Sequence, residues 1–259
     1  MRLYVACHDK IIVPPLPGYI PIQSGSAVCD TKLNCIRDGD LKDNISARNP
    51  RYFELCALYA VAKNLIDDTN NIYGVLQSRR FLVRDYSTHP VDQLNYMHAM
   101  EADLANYRTA LAFTEEDMGP YDMLCPLQER VVQRTRTLGD NWRIFHDREM
   151  LVQARNILAE RDPSYLDAFD AVFDGPCGFY HYHNILITKG RLLMEYADWL
   201  FRLLMELENR VVLKPGTDYH HNHLDGKYKP LAWLAEHLIN VFILRNRLMV
   251  RGHSVLMVN

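Results

Sequence analysis

YGVLQSRRFLV, residues 73–83, begins as an apolar run and then sets Arg79 and Arg80 side by side before turning apolar again. The run IYGVLQ, residues 72–77, reads as the central strand of a buried sheet, because a short, nearly continuous apolar run suits a strand covered on both faces. A doubled positive charge at the end of such a strand is either solvated or placed to meet an anion, since arginine is seldom buried without a partner. If the strand stays extended, successive side chains point to opposite faces. One arginine is then expected to face a site while the other pairs elsewhere.

Outward from this strand, short apolar runs alternate with helical patterns, which predicts one α/β domain over residues 1–259, with a central, mostly parallel sheet flanked by helices. LYVAC (3–7) and HNILIT (183–188) read as further strands of the same sheet, and YDMLCP as another short one. YIPIQSGSAVC reads as extended and irregular, and the polar residues 30–48, with their Asp-Gly signal, as a surface loop. Asn49-Pro50 predicts the start of a continuous helix through RYFELCALYAVAKNL. DQLNYMHAMEADLANYRTAL, most of 126–160, and the segment after Asp162-Pro163 read as helical. In RLLMEYADWLFRLLMELENR, Glu195, Asp198, Arg202 and Glu206 recur at spacings of three and four and leave a wide apolar face. LAWLAEHLINVFILRNRL reads as a last helix closing the domain.

Composition narrows the class. Forty-eight per cent of the 259 residues are hydrophobic, enough for a sizeable core, and 29 Lys and Arg against 32 Asp and Glu provide no field that would recruit nucleic acid. Six cysteines are scattered without a C-x-x-C pair, which reads as a reducing compartment. The first residues lack the pattern of a signal peptide, and no run approaches the roughly 18–20 apolar residues of a membrane span. The expectation is a cytoplasmic protein, with peripheral attachment to the inner face of a membrane as the open alternative.

Several segments, in order, resemble the bacterial capsular-polysaccharide-type glycosyltransferases first catalogued as a domain of unknown function. VACHDK and YIPIQSG resemble that family's opening strand and Pro-Ile-Gln-Gly loop, KDNIS its Gly-Asp-Asn-Ile-Ser loop, FELCALYAVAKN its Glu-Leu-Thr-Ala helix, and GVLQSRRF its His-Tyr-Arg-Arg strand. YHNILITKG, EYADWLFRLL and LAEHL follow in the same order. The resemblance implies a GT-A-like fold and a galactofuranosyltransferase-like activity. The sugar would come from a UDP-sugar donor, UDP-galactofuranose, and pass to a polysaccharide or lipid-linked glycan acceptor. Two features depart from the family: Gln77-Ser78 stand where it has His-Tyr, and the histidine-rich stretch DYHHNHLDGKYKP matches none of its motifs.

Transfer from such a donor releases a diphosphate, and a cation must meet the developing charge. Many GT-A enzymes use a divalent metal held by Asp-x-Asp at a strand end. Here the strand ends without a carboxylate, and arginine forks can bind phosphate oxygens unaided. The expectation is therefore metal-independent turnover, with manganese or magnesium as the alternative. His8, Asp43, Asn44, Arg79, Arg80, His183 and Asn184 are the donor-binding candidates, and Glu54 and Glu236 the candidates for general base. Each has a plainer reading. Asp43 and Asn44 suit an Asx turn or cap, His183 and Asn184 a satisfied strand start, and Glu54 a structural pair with an arginine or Lys63. Asp38-Gly39-Asp40 is discounted as a metal motif because it lies in a polar turn. His220, His221 and His223, with Asp218 and Asp225, could hold zinc or manganese. Two other classes stay open: an inactive nucleotide-sugar or glycan-binding module, and a metal-dependent hydrolase built on that histidine loop.

Overall fold

The computed structural model describes residues 1–84, 96–130, 135–176, 178–211 and 229–259. Its strands are β1 (Arg2–Cys7), β2 (Tyr19–Gln23), β3 (Ile36–Arg37), β4 (Ile72–Gln77), β5 (Arg80–Leu82), β6 (Tyr96–Ala99), β7 (Met123–Pro126), β8 (Glu129–Arg130), β9 (Phe179–Tyr180), β10 (Leu186–Lys189), β11 (Val250–His253) and β12 (Val255–Val258). The helices are α1 (Asn49–Tyr52), α2 (Leu55–Asn64), α3 (Arg108–Leu111), α4 (Leu138–Phe145), α5 (Arg148–Arg161), α6 (Leu166–Phe173), α7 (Gly190–Arg210) and α8 (Pro230–Asn246).

The main sheet runs β11-β7-β10-β4-β1-β2-β3, and β5, β6 and β12 extend it from the end of β4. β1, β2, β3 and β4 are parallel, but β10 is antiparallel to both β4 and β7. The expected strands 3–7 and 72–77 and the second half of 183–188 thus share one sheet, which is mixed, while residues 183–185 precede the third strand rather than belong to it. Alternation along β1 sends Leu3, Val5 and Cys7 to one core, with Leu76, Phe81 and Leu256. Tyr4 and Ala6 enter the other, with Tyr73, Val75 and residues of α2, α5, α6, α7 and α8. This period of two is the reason both faces of the central strands carry apolar side chains.

Several local expectations are corrected by long-range pairing. Residues 19–23 form a regular strand because they pair with β1 along their whole length. Residues 96–99, expected in a helix, form β6 alongside β12, and the last helix is followed by two more strands. The helix expected from Asn49 is broken at Phe53, whose φ of 52° and ψ of −125° leave helical space. The Phe53 carbonyl, which would otherwise continue the helix, accepts from Ser24 Oγ at 2.7 Å and Asn49 Nδ2 at 3.0 Å. Within 30–48, Asp38 directly follows β3 and is fully buried. Its carboxylate accepts from the Gly25 and Ser26 amides and the Ser26 and Ser46 hydroxyls, so it staples this segment to the loop after β2.

Gly74 lies in mid-strand where a Cβ would come within 2.6 Å of Leu3 Cδ2 and 2.9 Å of Ile187 Cγ1. Its absent side chain lets β1, β4 and β10 close over one another. Gly74→Ala is expected to destabilise the chain by about 1–3 kcal/mol through overpacking, read as a lowered urea midpoint at unchanged slope.

Candidate active site

Parallel strands place their carboxyl ends at one edge of the sheet, where ligands of open α/β folds bind. At this edge β1 delivers His8 and β4 delivers Gln77. Ser78 and Arg79 then make a tight turn, Arg79 taking a φ of 69°, and β5 returns with Arg80 opposite Gln77. The doubled arginine is thus a hairpin tip rather than a strand end. Arg79 is exposed, while Arg80 Nη1 donates to Gln77 Oε1 at 2.6 Å. Because β10 is antiparallel, its beginning reaches the same edge: His183 and Asn184 sit in the turn before it, with φ values of 73° and 37°. Left-handed residues other than glycine are uncommon, and each costs about 1–3 kcal/mol unless the surroundings hold it.

Those surroundings are a continuous set of hydrogen bonds. Gln77 Nε2 donates to the His183 carbonyl and to Glu54 Oε1, both at 3.1 Å. Asn184 Nδ2 donates to the same Glu54 oxygen at 2.8 Å and to the Ala232 carbonyl in the first turn of α8 at 3.0 Å. Glu54, at the break between α1 and α2, is therefore held by two amides. No ion pair to Glu54 is present among the described residues, and Lys63 instead pairs with Asp198. His183 Nε2 lies 2.7 Å from Tyr96 Oη, and Tyr96 Oη donates to Glu129 Oε1.

Glu236, on the second turn of α8, completes the group. Burial and the neighbouring charge of Glu54, with a smaller contribution from Glu129, push its carboxyl up to about 8, although Arg80 and the His183 backbone amide favour the ionised form. Burial holds His183 neutral, down to about 4, and Arg80 adds to this. His8, its ring centroid 5.1 Å from that of Phe53, is lowered by burial, partly countered by Glu54. Lys229 places its charge over the Phe53 ring and lowers His8 further. Carboxylates, neutral imidazoles and one guanidinium therefore share a partly buried edge, an arrangement suited to moving a proton beside a charged leaving group.

Glu54, Arg80, His183, Asn184 and Glu236 are brought together, with His8 beside them. Asp43 and Asn44 are not. The Asp43 backbone is bonded to the Asn64 side chain at the far end of α2, about 15 Å of helix from Glu54. Asn44 bonds locally to the Leu41 carbonyl and the Ser46 amide. Tyr96, Glu129 and the bridging role of Gln77 escaped sequence reasoning, because no spacing links them. The histidines 220, 221 and 223 and Asp218 and Asp225 lie outside the described residues. Among the described residues no group of three His, Cys, Asp or Glu side chains is disposed to hold a metal. No helix among them is long and apolar enough to cross a membrane.

The architecture is shared with a solved glycosyltransferase. The apo structure of the WbbM bifunctional glycosyltransferase superposes with a TM-score of 0.84 over 100% of this chain and 45% of that one, at 24% identity. The chain thus spans less than half the length of that protein, and the likeness is one of fold. No curated protein matches the sequence. The chain belongs to the family described as Domain of unknown function (DUF4422), whose model matches residues 2–247.

The raised Glu236 carboxyl makes stability depend on pH. The folded state holds this proton up to about 8, whereas an ordinary glutamate releases it near 4.5. Its contribution is present below the unfolded value and is lost as pH rises through the folded one. Glu236→Gln, which cannot ionise, is expected to gain stability over the wild type between pH 6 and 9, measured by urea unfolding at each pH.

Proposed function

We propose that this chain is a glycosyltransferase that moves galactofuranose from UDP-galactofuranose to a polysaccharide or lipid-linked glycan acceptor. The observation that carries the reading is the gathering of Glu54, Arg80, His183 and Glu236 at the carboxyl edge of a sheet whose fold is that of a solved glycosyltransferase, with the Glu236 carboxyl raised by burial and by Glu54. In an inverting displacement the acceptor oxygen forms a bond to the anomeric carbon. The bond from that carbon to the phosphate oxygen breaks, and its electron pair leaves with UDP. The acceptor proton passes to the Glu236 carboxylate. A base whose pKa lies near the working pH combines adequate ionisation with strong proton affinity. Glu54, held by Gln77 and Asn184, orients the donor sugar, and His8 lines the nucleotide side. Arg80 retains guanidinium donors beyond the one given to Gln77, and these meet the charge developing on the diphosphate.

Gln77, the departure from the related motif, has a positive role here. It ties Arg80, Glu54 and His183 together, which favours an active site over an inert binding module. The exposed Arg79 contributes little to transfer.

Arg80→Ala is expected to lower transfer about ten- to a hundredfold, the cost of losing a charge-assisted contact, with Arg80→Lys a partial rescue. Arg79→Ala should stay within about twofold of the wild type, a surface change that loses no side-chain partner among the described residues. Transfer should persist in EDTA. Full activity in Arg80→Ala, or activity abolished by EDTA and restored by manganese, would show that the charge partner lies elsewhere. Glu236→Gln should lose about 100-fold or more, and wild-type kcat/KM should climb with pH as that group ionises. A flat profile from pH 6 to 9 would remove Glu236 as the base.

A further inference from the structure

Tyr96 and Glu129 come from β6 and β8, strands that contribute nothing else to the constellation described above. Tyr96 Oη nevertheless meets both the Glu129 carboxylate and His183 Nε2, and Glu129 Oε1 is 3.7 Å from the same ring nitrogen. Counting protons decides the direction of these bonds. A phenol has one proton, and an ionised carboxylate can only accept. The Tyr96 proton therefore goes to Glu129, and the Tyr96 oxygen can only accept from the imidazole. His183 Nε2 must then carry the ring proton, which leaves Nδ1 with its lone pair. The ring is neutral, as its buried position beside Arg80 requires, and its side chain keeps 15% of its surface exposed.

We propose that Tyr96 and Glu129 are positioning residues that lock His183 in the Nε2–H tautomer, so that Nδ1 serves as a hydrogen-bond acceptor for a sugar hydroxyl of the donor. The second half rests on the function proposed above; the first does not. Three features make the lock specific. The His183 carbonyl is held by Gln77, which fixes the backbone from which the ring projects, and Nε2 itself is held at Tyr96 Oη. The left-handed backbone at His183 and Asn184 is clamped on its other side by Glu54 and Ala232. The Arg80 charge disfavours a second ring proton, so the imidazole cannot turn into a double donor. A fixed acceptor atom complements Arg80, which only donates, and the amide-bound Glu54. Hydroxyls need both kinds of partner, and a site built to pair one discriminates strongly against sugars lacking it.

The test is the imidazole nitrogen spectrum of the full chain labelled with ¹⁵N-histidine. His183 is assigned by the signals lost in His183→Asn. In the wild type at neutral pH, Nε2 should give a protonated and Nδ1 an unprotonated nitrogen signature. Tyr96→Phe and Glu129→Leu, which removes the acceptor for the phenol proton, should each convert this pair to the averaged pattern of a ring exchanging tautomers. UDP-galactofuranose should shift the Nδ1 signal while UDP alone does not, and Tyr96→Phe should raise KM for the donor about tenfold with less change in kcat, the cost of one hydrogen bond to a charged or strongly polarised partner. A wild-type His183 with its proton on Nδ1, or a pattern unchanged in both variants, overturns the lock. Donor binding that leaves Nδ1 unmoved overturns the hydroxyl contact. Failure of UDP-galactofuranose to protect the wild type against thermal unfolding, with the tautomer locked, overturns the donor assignment and leaves the lock standing.

Discussion

The carboxamide of Gln77 is the joint on which the site depends. Its oxygen accepts from Arg80, and its nitrogen donates to Glu54 and to the His183 carbonyl, so one side chain at the end of the central strand joins the β5 hairpin, the break before α2 and the turn before β10. An amide can do this because it presents an acceptor and two donors in one plane. A carboxylate at the same position would repel Glu54, and an apolar side chain would take a partner from Arg80 and from the His183 carbonyl and leave Glu54 with Asn184 alone, at about 1–3 kcal/mol for each buried polar group left unpaired.

Geometry at this edge follows from the reversal of one strand. Were β10 parallel to β4, its carboxyl end would face the site and residues 183–184 would lie at the opposite edge. Antiparallel pairing, with Leu186 opposite Val75, instead brings the start of β10 level with Gln77. The two left-handed residues then let the chain turn sharply enough for Asn184 to reach back to Glu54 and for α8 to approach through Ala232. Local strain and long-range hydrogen bonds belong to the same device.

Charge at the site is nearly self-compensating. Glu54 and Glu129 stand against Arg80, with Lys229 near Phe53, and the third carboxyl, Glu236, keeps its proton because a further negative charge would be poorly solvated. Such a site stores a proton affinity that a solvated glutamate lacks. Asp38, by comparison, accepts four hydrogen bonds and serves only to hold two loops together.

The amino-acid sequence by itself determined the strands at 3–7 and 72–77, the existence though not the start of the strand expected at 183–188, which begins only at Leu186, and the long helix expected at 191–210, because apolar periodicity records which faces are buried whatever the partner. It also marked Glu54, Arg80, His183, Asn184 and Glu236, polar residues set in apolar surroundings or at the ends of apolar runs. Only the tertiary structure decided that β10 is reversed, that residues 96–99 are a strand, that the helix from Asn49 breaks at Phe53, and that Arg80 rather than Arg79 turns inward. It alone joined Glu54 to Gln77 and Asn184, 23 and 130 residues away along the chain, and moved Asp43 and Asn44 to the other end of α2. The reason is physical: a residue's neighbours in sequence set its local periodicity, but hydrogen-bond partners drawn from distant strands are fixed only when the sheet has paired and brought their carboxyl ends to one edge.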